Sequence, residues 1–170
     1  FFIQAMRKSC ADPKNHHYPL DRGNAAFRVA ASDWLKKRFG MRFDAAIEIL
    51  PLIGSKEGIA HLPLAFLNPG DVALVPDPCY PPYKSGTLFA GGAVHLLPLE
   101  EKRGYLPDFE SVPEAILKRS KMIFVNYPNN PTGAVASRSF YERLVAWAKR
   151  HRILVVSDLA YSEVYFGDSK

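Results

Sequence analysis

The chain has 170 residues, of which 48% are hydrophobic and 23% charged, the composition of an ordinary globular protein with one core. No apolar run approaches the roughly 20 residues that a membrane-spanning helix needs, so we expect no membrane partner. The start of the chain does not have the pattern of a signal peptide, and its two cysteines suggest neither a disulfide framework nor a metal site. We therefore expect a cytoplasmic location, and we interpret residues 1–170 as a single domain because no repeat or low-complexity linker interrupts them.

The formal net charge is +5, and a basic balance can indicate a nucleic-acid partner. The clustered cations instead fall at the ends of predicted helices, where positive charge complements the helix dipole. These clusters lie in residues 36–38, 118–121 and 149–152. We therefore expect no nucleic-acid partner.

The first elements in chain order are a turn over residues 11–15 and a helix over residues 23–38, with Gly40 as its C-terminal cap. Residues 47–53 then have the pattern of a strand, and a small-residue turn leads into an apolar helix that ends near Leu67. A strand, a small-residue turn and a helix form a phosphate site, because free backbone N–H groups and the positive helix end face an anion. A simple helix cap is the alternative for this turn.

The second half of the chain alternates apolar strand runs with helices. Strands are predicted at residues 72–75, 94–97, 122–125 and 153–157, and helices before residue 94 and at residues 109–119 and 139–150. Such alternation predicts an α/β fold, a three-layer α/β/α sandwich with a mainly parallel sheet.

Residues 126–133 read NYPNNPTG and follow one of these strands. Prolines cannot continue a sheet ladder, so the strand ends here and presents the side-chain amides of Asn126, Asn129 and Asn130. Ligands of open α/β sheets bind at this end of the strands. The alternative is a turn that only reverses the chain. Asp158 and Tyr161 follow the next strand in the same way.

The NNPTG turn and the Asp-x-x-Tyr motif together resemble the fold-type I aminotransferases of class I/II, which use pyridoxal 5'-phosphate. The resemblance implies that Asn130 and Tyr161 bind the phenolic oxygen of this cofactor, and that Asp158 pairs with its protonated pyridine nitrogen. The ring withdraws electrons only while that nitrogen is protonated, and a nearby carboxylate favours the charged form.

Other stretches match the same family. The resemblance assigns the cofactor phosphate to Ser55 and Lys56, and it assigns stacking on the pyridine ring to Tyr80. It also implies that Tyr18 reaches across a homodimer interface to the phosphate of the neighbouring subunit. The alternative for Tyr18 is an ordinary half-buried tyrosine.

By this resemblance, the parent enzyme transfers an amino group from an amino acid to a 2-oxo acid, both small-molecule substrates. The runs GSKEGIAHLPLAF, VPDPCYPPY and DLAYSEVYF are most similar to diaminopimelate-type aminotransferases. Two alternatives stay open: a pyridoxal-phosphate-dependent lyase on the same fold, and the effector-sensing aminotransferase-like domain of a transcriptional regulator.

In the family, the Schiff-base lysine lies well downstream of the Asp-x-x-Tyr motif, beyond the position of Lys170. We therefore expect the chain to be the amino-terminal part of the cofactor-binding large domain and to be inactive alone. We also expect its sheet to be incomplete, with a gap or an abnormal edge beside the Asp158 strand.

Overall fold

The computed structural model describes residues 1–18 and 21–166. The chain divides into two compact units, Phe1–Leu52 and Ile53–Lys170. Our interpretation of residues 1–170 as a single domain stays a prediction.

The helices and strands have the following bounds. The first unit contains α1 (Phe2–Ala11), a 3-10 turn (Pro13–Asn15) and α2 (Ala25–Phe39). The helices of the second unit are α3 (Ser55–Phe66), α4 (Pro82–Phe89), α5 (Glu114–Leu117) and α6 (Arg138–His151). Its strands are β1 (Val72–Asp77), β2 (Ala93–Pro98), β3 (Ser120–Asn126) and β4 (Leu154–Asp158).

Helix α2 confirms the helix predicted over residues 23–38. The Asn24 side chain caps it by accepting hydrogen bonds from the backbone N–H groups of Ala26 and Phe27. It ends at Gly40, whose φ of 71° is in the left-handed region that favours glycine.

The strand predicted over residues 47–53 is wrong. Residues 45–48 form a turn instead, in which the Glu48 side chain accepts a 2.6 Å hydrogen bond from the Asp44 N–H and the Asp44 side chain accepts one of 2.7 Å from the Ala46 N–H. The two carboxylates satisfy backbone groups locally, and the described part of the first unit contains no strand with which this segment could pair. This local hydrogen bonding outweighs the strand preference of Ile47 and Ile49.

The second unit is built on a four-stranded sheet in the order β2-β1-β3-β4, and every strand pairs with its neighbours in parallel. This confirms the predicted α/β class. β1 and β3 occupy the centre and are buried almost throughout, whereas β4 lies at an edge with Leu154 37% exposed. In the part of the chain that the structure describes, β4 has β3 as its neighbour and forms one edge of the sheet; the expectation of an abnormal edge stays a prediction.

Successive residues of the central strands point to opposite faces of the sheet, so helices on both faces share the core. On one face, Leu74 and Ile123 pack with α6 through Leu144 and Trp147. On the other face, the core contains Ala73, Val75, Met122 and Phe124, together with Ile59 of α3 and Tyr83 of α4. The three-layer arrangement is therefore confirmed.

The helix predicted over residues 109–119 is mostly wrong. Phe109–Ser111 is a 3-10 turn, Val112 is extended with a ψ of 125°, and α5 begins only after Pro113. A proline disfavours helical conformation in the residue before it, so Val112 leaves the helix. Phe109 and Val112 are nevertheless buried in the core.

No helix in the described ranges is both long and apolar enough to cross a membrane.

Candidate functional site at the sheet switch point

The strand order creates a crevice at the carboxyl ends of the two central strands. After β1 the chain moves to β2 on one side and then returns to β3 on the other side. Ligands of open α/β sheets bind where the strand order reverses in this way. Tyr80 follows β1 and Asn130 follows β3, so both lie in segments that leave this crevice.

Asp158 is the last residue of β4 and is 9% exposed. Its carboxylate accepts a 2.9 Å hydrogen bond from the Tyr83 hydroxyl at one oxygen and a 3.3 Å hydrogen bond from the Ala160 N–H at the other. A carboxylate can accept about four hydrogen bonds, so Asp158 keeps capacity for a ligand donor.

Tyr83 is a site residue that the sequence analysis missed. It lies in the first turn of α4, is 1% exposed, and stacks on Phe124 with ring centres 4.8 Å apart. Burial, and after it the negative charge of Asp158, raises the pKa of the Tyr83 hydroxyl far above its ordinary value, so it remains a neutral donor. Its position one helical turn after Tyr80 is the only sequence signal that could have indicated it.

Asn126 is a buried residue, 2% exposed, whose side chain connects the ends of β3 and β4. Its Nδ2 donates to the Asp158 carbonyl oxygen at 2.9 Å, and its Oδ1 accepts from the Asn130 N–H at 2.7 Å. Asn129 is also used internally, because its Nδ2 donates to the Asn126 carbonyl oxygen and its Oδ1 accepts from Thr132. Of the three amides predicted to be presented at this strand end, those of Asn126 and Asn129 are therefore engaged within the chain.

Asn130 differs from the other two asparagines. It is half-buried, and within the described ranges its side-chain amide has no hydrogen-bond partner. Only its backbone N–H is bonded, to Asn126. Its amide is therefore available to a ligand.

Ser55 and Lys56 begin α3, and both are exposed. The prediction that they follow a strand is wrong, because residues 47–53 form no strand. Gly54 precedes them with a φ of 88° and has no side chain to cap the helix; the Glu57 N–H donates to the Gly54 carbonyl oxygen, which leaves the Ser55 and Lys56 N–H groups for an anion. The Lys56 ammonium lies 6.0 Å from the centre of the Tyr80 ring. In the described part of the chain, no carboxylate lies within ion-pair distance of Lys56.

A second lysine near this crevice is already paired. Lys84 Nζ lies 2.9 Å from Asp77 Oδ1 at the end of β1. This hydrogen bond raises the pKa of Lys84, and both side chains are partly exposed. Lys56 is therefore better placed than Lys84 to meet an anion.

These contacts form one continuous series across the crevice. Tyr80 meets Tyr83 edge-on with ring centres 5.9 Å apart, which joins the start of α3 to Asp158. The series, in order of contact, is Lys56, Tyr80, Tyr83, Asp158, Asn126 and Asn130. The structure thus brings together residues that are separated by 102 positions at most, from Lys56 to Asp158.

The remaining predicted site residues are Tyr161 and Tyr18. Tyr161 lies in the turn after β4, where its carbonyl oxygen accepts from the Val164 N–H, and it is 38% exposed. Tyr18 belongs to the first unit and is 90% exposed, so the alternative of a half-buried tyrosine is wrong.

Comparison with known proteins agrees with this geometry. The model of the family described as "Aminotransferase class I and II" matches residues 2–170. The chain belongs to the class I and II aminotransferase family.

Individual relatives of this aminotransferase chain agree with the family assignment. It is 50% identical over 168 residues to the LL-diaminopimelate aminotransferase of Aquifex aeolicus, covering 99% of the chain and 43% of that protein. The substrate-bound BacF structure from Bacillus subtilis superposes with a TM-score of 0.90 at 42% identity, over 94% of this chain and 40% of that one. The N-succinyldiaminopimelate aminotransferase of Mycobacterium tuberculosis gives a TM-score of 0.89 at 28% identity, over 99% and 44%. The chain thus spans less than half the length of these relatives.

Proposed function

We propose that the whole protein is a pyridoxal-phosphate-dependent aminotransferase that moves an amino group from an amino acid to a 2-oxo acid. The observation that carries this proposal is the series of contacts from Lys56 to Asn130, which joins a helix start, an aromatic ring, a carboxylate and an amide. The activity is proposed for the whole protein because this chain spans 43% of the Aquifex aeolicus relative.

The donor set fits pyridoxal phosphate, which combines a phosphate, a pyridine nitrogen and a phenolic oxygen. Ser55 and Lys56 offer for the phosphate a helix start without a side-chain cap and an ammonium that has no ion-pair partner among the described residues. The buried Asp158 carboxylate keeps lone pairs for the protonated ring nitrogen, and the open Asn130 amide suits the phenolic oxygen. Tyr161 is a second candidate for that oxygen, because it follows Asp158 by one turn.

Pyridoxal phosphate, when bound, supplies an aldehyde that takes up the amino group and a ring that withdraws electrons from the substrate Cα. Asp158 contributes a negative charge that favours the protonated form of the ring nitrogen. Tyr80 offers an aromatic face, and such offset stacking contributes about 1 kcal/mol beyond the buried area. Asn126 contacts no ligand in this account; it holds the Asp158 and Asn130 backbones in register.

We propose diaminopimelate-type amino acids as the donors to test first, since the Aquifex aeolicus relative is an LL-diaminopimelate aminotransferase. We also propose a cytoplasmic homodimer in which the exposed Tyr18 reaches the partner subunit, with no nucleic-acid partner. Aminotransferase relatives support group transfer over the lyase and sensor alternatives.

The test is an assay of the whole protein with pyridoxal phosphate and a panel of amino acids and 2-oxo acids. We expect stoichiometric formation of the new amino acid and the new 2-oxo acid. Asp158→Asn should lower kcat by orders of magnitude while cofactor still binds, and each tenfold loss corresponds to about 1.4 kcal/mol of transition-state stabilisation.

The matched control is Asp71→Asn, which changes a carboxylate beside the amino end of β1 that accepts from the Asn68 N–H. It should leave kcat near that of the wild type. Release of ammonia instead of a new amino acid would favour the lyase, and cofactor binding without any turnover would favour the sensor.

A further inference from the structure

We infer that Tyr83 is a positioning residue, whose hydroxyl fixes the Asp158 carboxylate in the orientation that receives the cofactor ring nitrogen. The inference rests on the proposed function, because it assigns Asp158 to that nitrogen. It adds a residue that touches neither the substrate nor the reacting atoms.

The position of the Tyr83 hydroxyl is set by the packing of its ring. The ring is 1% exposed, stacks at an interplanar angle of 13° on Phe124, and meets Tyr80 edge-on. Phe124 belongs to the central strand β3, so the tyrosine is held by the most buried part of the sheet. A donor with this support is preorganised for its acceptor.

Asp158 needs such a donor, because the terminal torsion of an aspartate has a broad energy minimum. Two hydrogen bonds restrain its carboxylate: 2.9 Å from Tyr83 and 3.3 Å from the Ala160 N–H. The longer bond lies outside the usual range for N–H donors, so the tyrosine is the stronger restraint. Without it, the carboxylate would keep one long hydrogen bond and could rotate.

The chemical type of the donor also matters. A phenol donates one hydrogen bond without a positive charge, so it orients Asp158 and leaves its negative charge for the ring nitrogen. A lysine or arginine in the same place would pair with the carboxylate and compete with the ring. Tyr83 is therefore suited to positioning rather than to neutralising Asp158.

The test is a double-mutant cycle on the 170-residue chain with 4-deoxypyridoxine 5'-phosphate as the probe. This compound has the phosphate and the pyridine ring but no aldehyde, so its binding requires no lysine. Its Kd is measured for the wild type, Tyr83→Phe, Asp158→Ala and the double variant. Tyr83→Phe keeps the ring contacts and removes only the hydroxyl.

We expect Tyr83→Phe to weaken binding about tenfold in the wild type and to have no effect in the Asp158→Ala background. The matched control is Tyr127→Phe, because Tyr127 is also buried and donates a single hydrogen bond, to the Tyr105 carbonyl oxygen at 2.7 Å. It belongs to the core on the opposite face of the sheet and should leave the Kd unchanged. If the alanine variant fails to fold, Asp158→Asn replaces it in the cycle.

Each other outcome overturns the inference. An equal loss from Tyr83→Phe in both backgrounds, or an equal loss from Tyr127→Phe, would show a general effect of stability. If the wild type binds the probe and Asp158→Ala weakens binding but Tyr83→Phe does not, the role of Tyr83 is wrong and the role of Asp158 stands. No binding by the wild-type chain would overturn the inference together with the assignment of the cofactor site to this chain, whereas the proposed activity is tested separately on the whole protein.

Discussion

Replacing Asn126 by alanine should damage the stability of the chain and its candidate site together. The side chain is 2% exposed and makes two short hydrogen bonds, to the Asp158 carbonyl oxygen and from the Asn130 N–H. The variant leaves both backbone groups without this partner. An unsatisfied buried group costs about 1–3 kcal/mol, and half-buried Asn130 can regain water, so the sum is about 2–4 kcal/mol.

Urea denaturation measures this loss as a shift of the unfolding midpoint, and a titration with 4-deoxypyridoxine 5'-phosphate measures the site in the same protein. Asn129→Ala is the matched control, since Asn129 is 6% exposed but bonds only within its own turn. Both variants should lose stability, but only Asn126→Ala should also lose affinity for the probe under conditions where it is folded. An Asn126→Ala protein within about 0.5 kcal/mol of the wild type would refute the view that this side chain joins the two strands.

Two further changes test the packing and the buried phenols. Gly86→Ala places a Cβ 2.8 Å from the Ala60 carbonyl oxygen, so α3 and α4 must separate. We expect thermal unfolding to show a loss of stability of about 1–3 kcal/mol for this variant and no comparable loss for the control Ser85→Ala. A neutral Gly86→Ala would contradict the close packing of α3 on α4. Burial raises the pKa of both Tyr83 and Tyr127, so the stability they provide is complete below their unfolded pKa of about 10 and is lost as pH rises above it. The free energy of unfolding should fall by up to about 1.4 kcal/mol per pH unit for each tyrosine, and each Tyr→Phe variant should reduce that slope in alkaline urea titrations; an unchanged slope would contradict the assigned burial.

The sequence predicts best those elements whose signal is local. The apolar runs of β1 and β3 indicate central parallel strands because both of their faces are buried. The predicted C-terminal cap of α2 at Gly40 is likewise a local feature, whereas the N-terminal cap at Asn24 was not predicted. For the same reason the fold class and the strand ends that carry the candidate site follow from the sequence.

The wrong predictions share a physical cause, which is competition that a pattern does not show. The strand predicted at residues 47–53 is replaced by a turn, in which the Asp44 and Glu48 carboxylates accept hydrogen bonds from backbone N–H groups. The sequence places the Asn126 amide at the end of a strand, but only the structure shows that it donates a hydrogen bond to the neighbouring strand at the Asp158 carbonyl oxygen. Tyr83 lies 75 residues from Asp158 in sequence, and only the folded sheet brings their side chains together.

Another group of cationic side chains competes with the candidate site for an anionic ligand. It lines a cleft of about 500 Å³ near the amino ends of β3 and β4, away from the strand ends that carry Asp158. We call it the basic cleft; its cationic residues are Lys118, Lys121, Arg150 and Arg152. Its charge attracts a phosphate compound that binds by charge alone, although Glu114 also lines the cleft and pairs with Lys118 at 3.0 Å.

The central claim is that the strand ends of this chain form a pyridoxal phosphate site. The most direct test is a titration of the isotopically labelled 170-residue chain with 4-deoxypyridoxine 5'-phosphate, followed by the backbone amide signals in nuclear magnetic resonance. We expect saturable shifts at Ser55, Lys56, Asn130 and Tyr161, with the signals of the basic cleft unchanged. Shifts confined to the basic cleft, or no saturable shifts at these four residues, would contradict it.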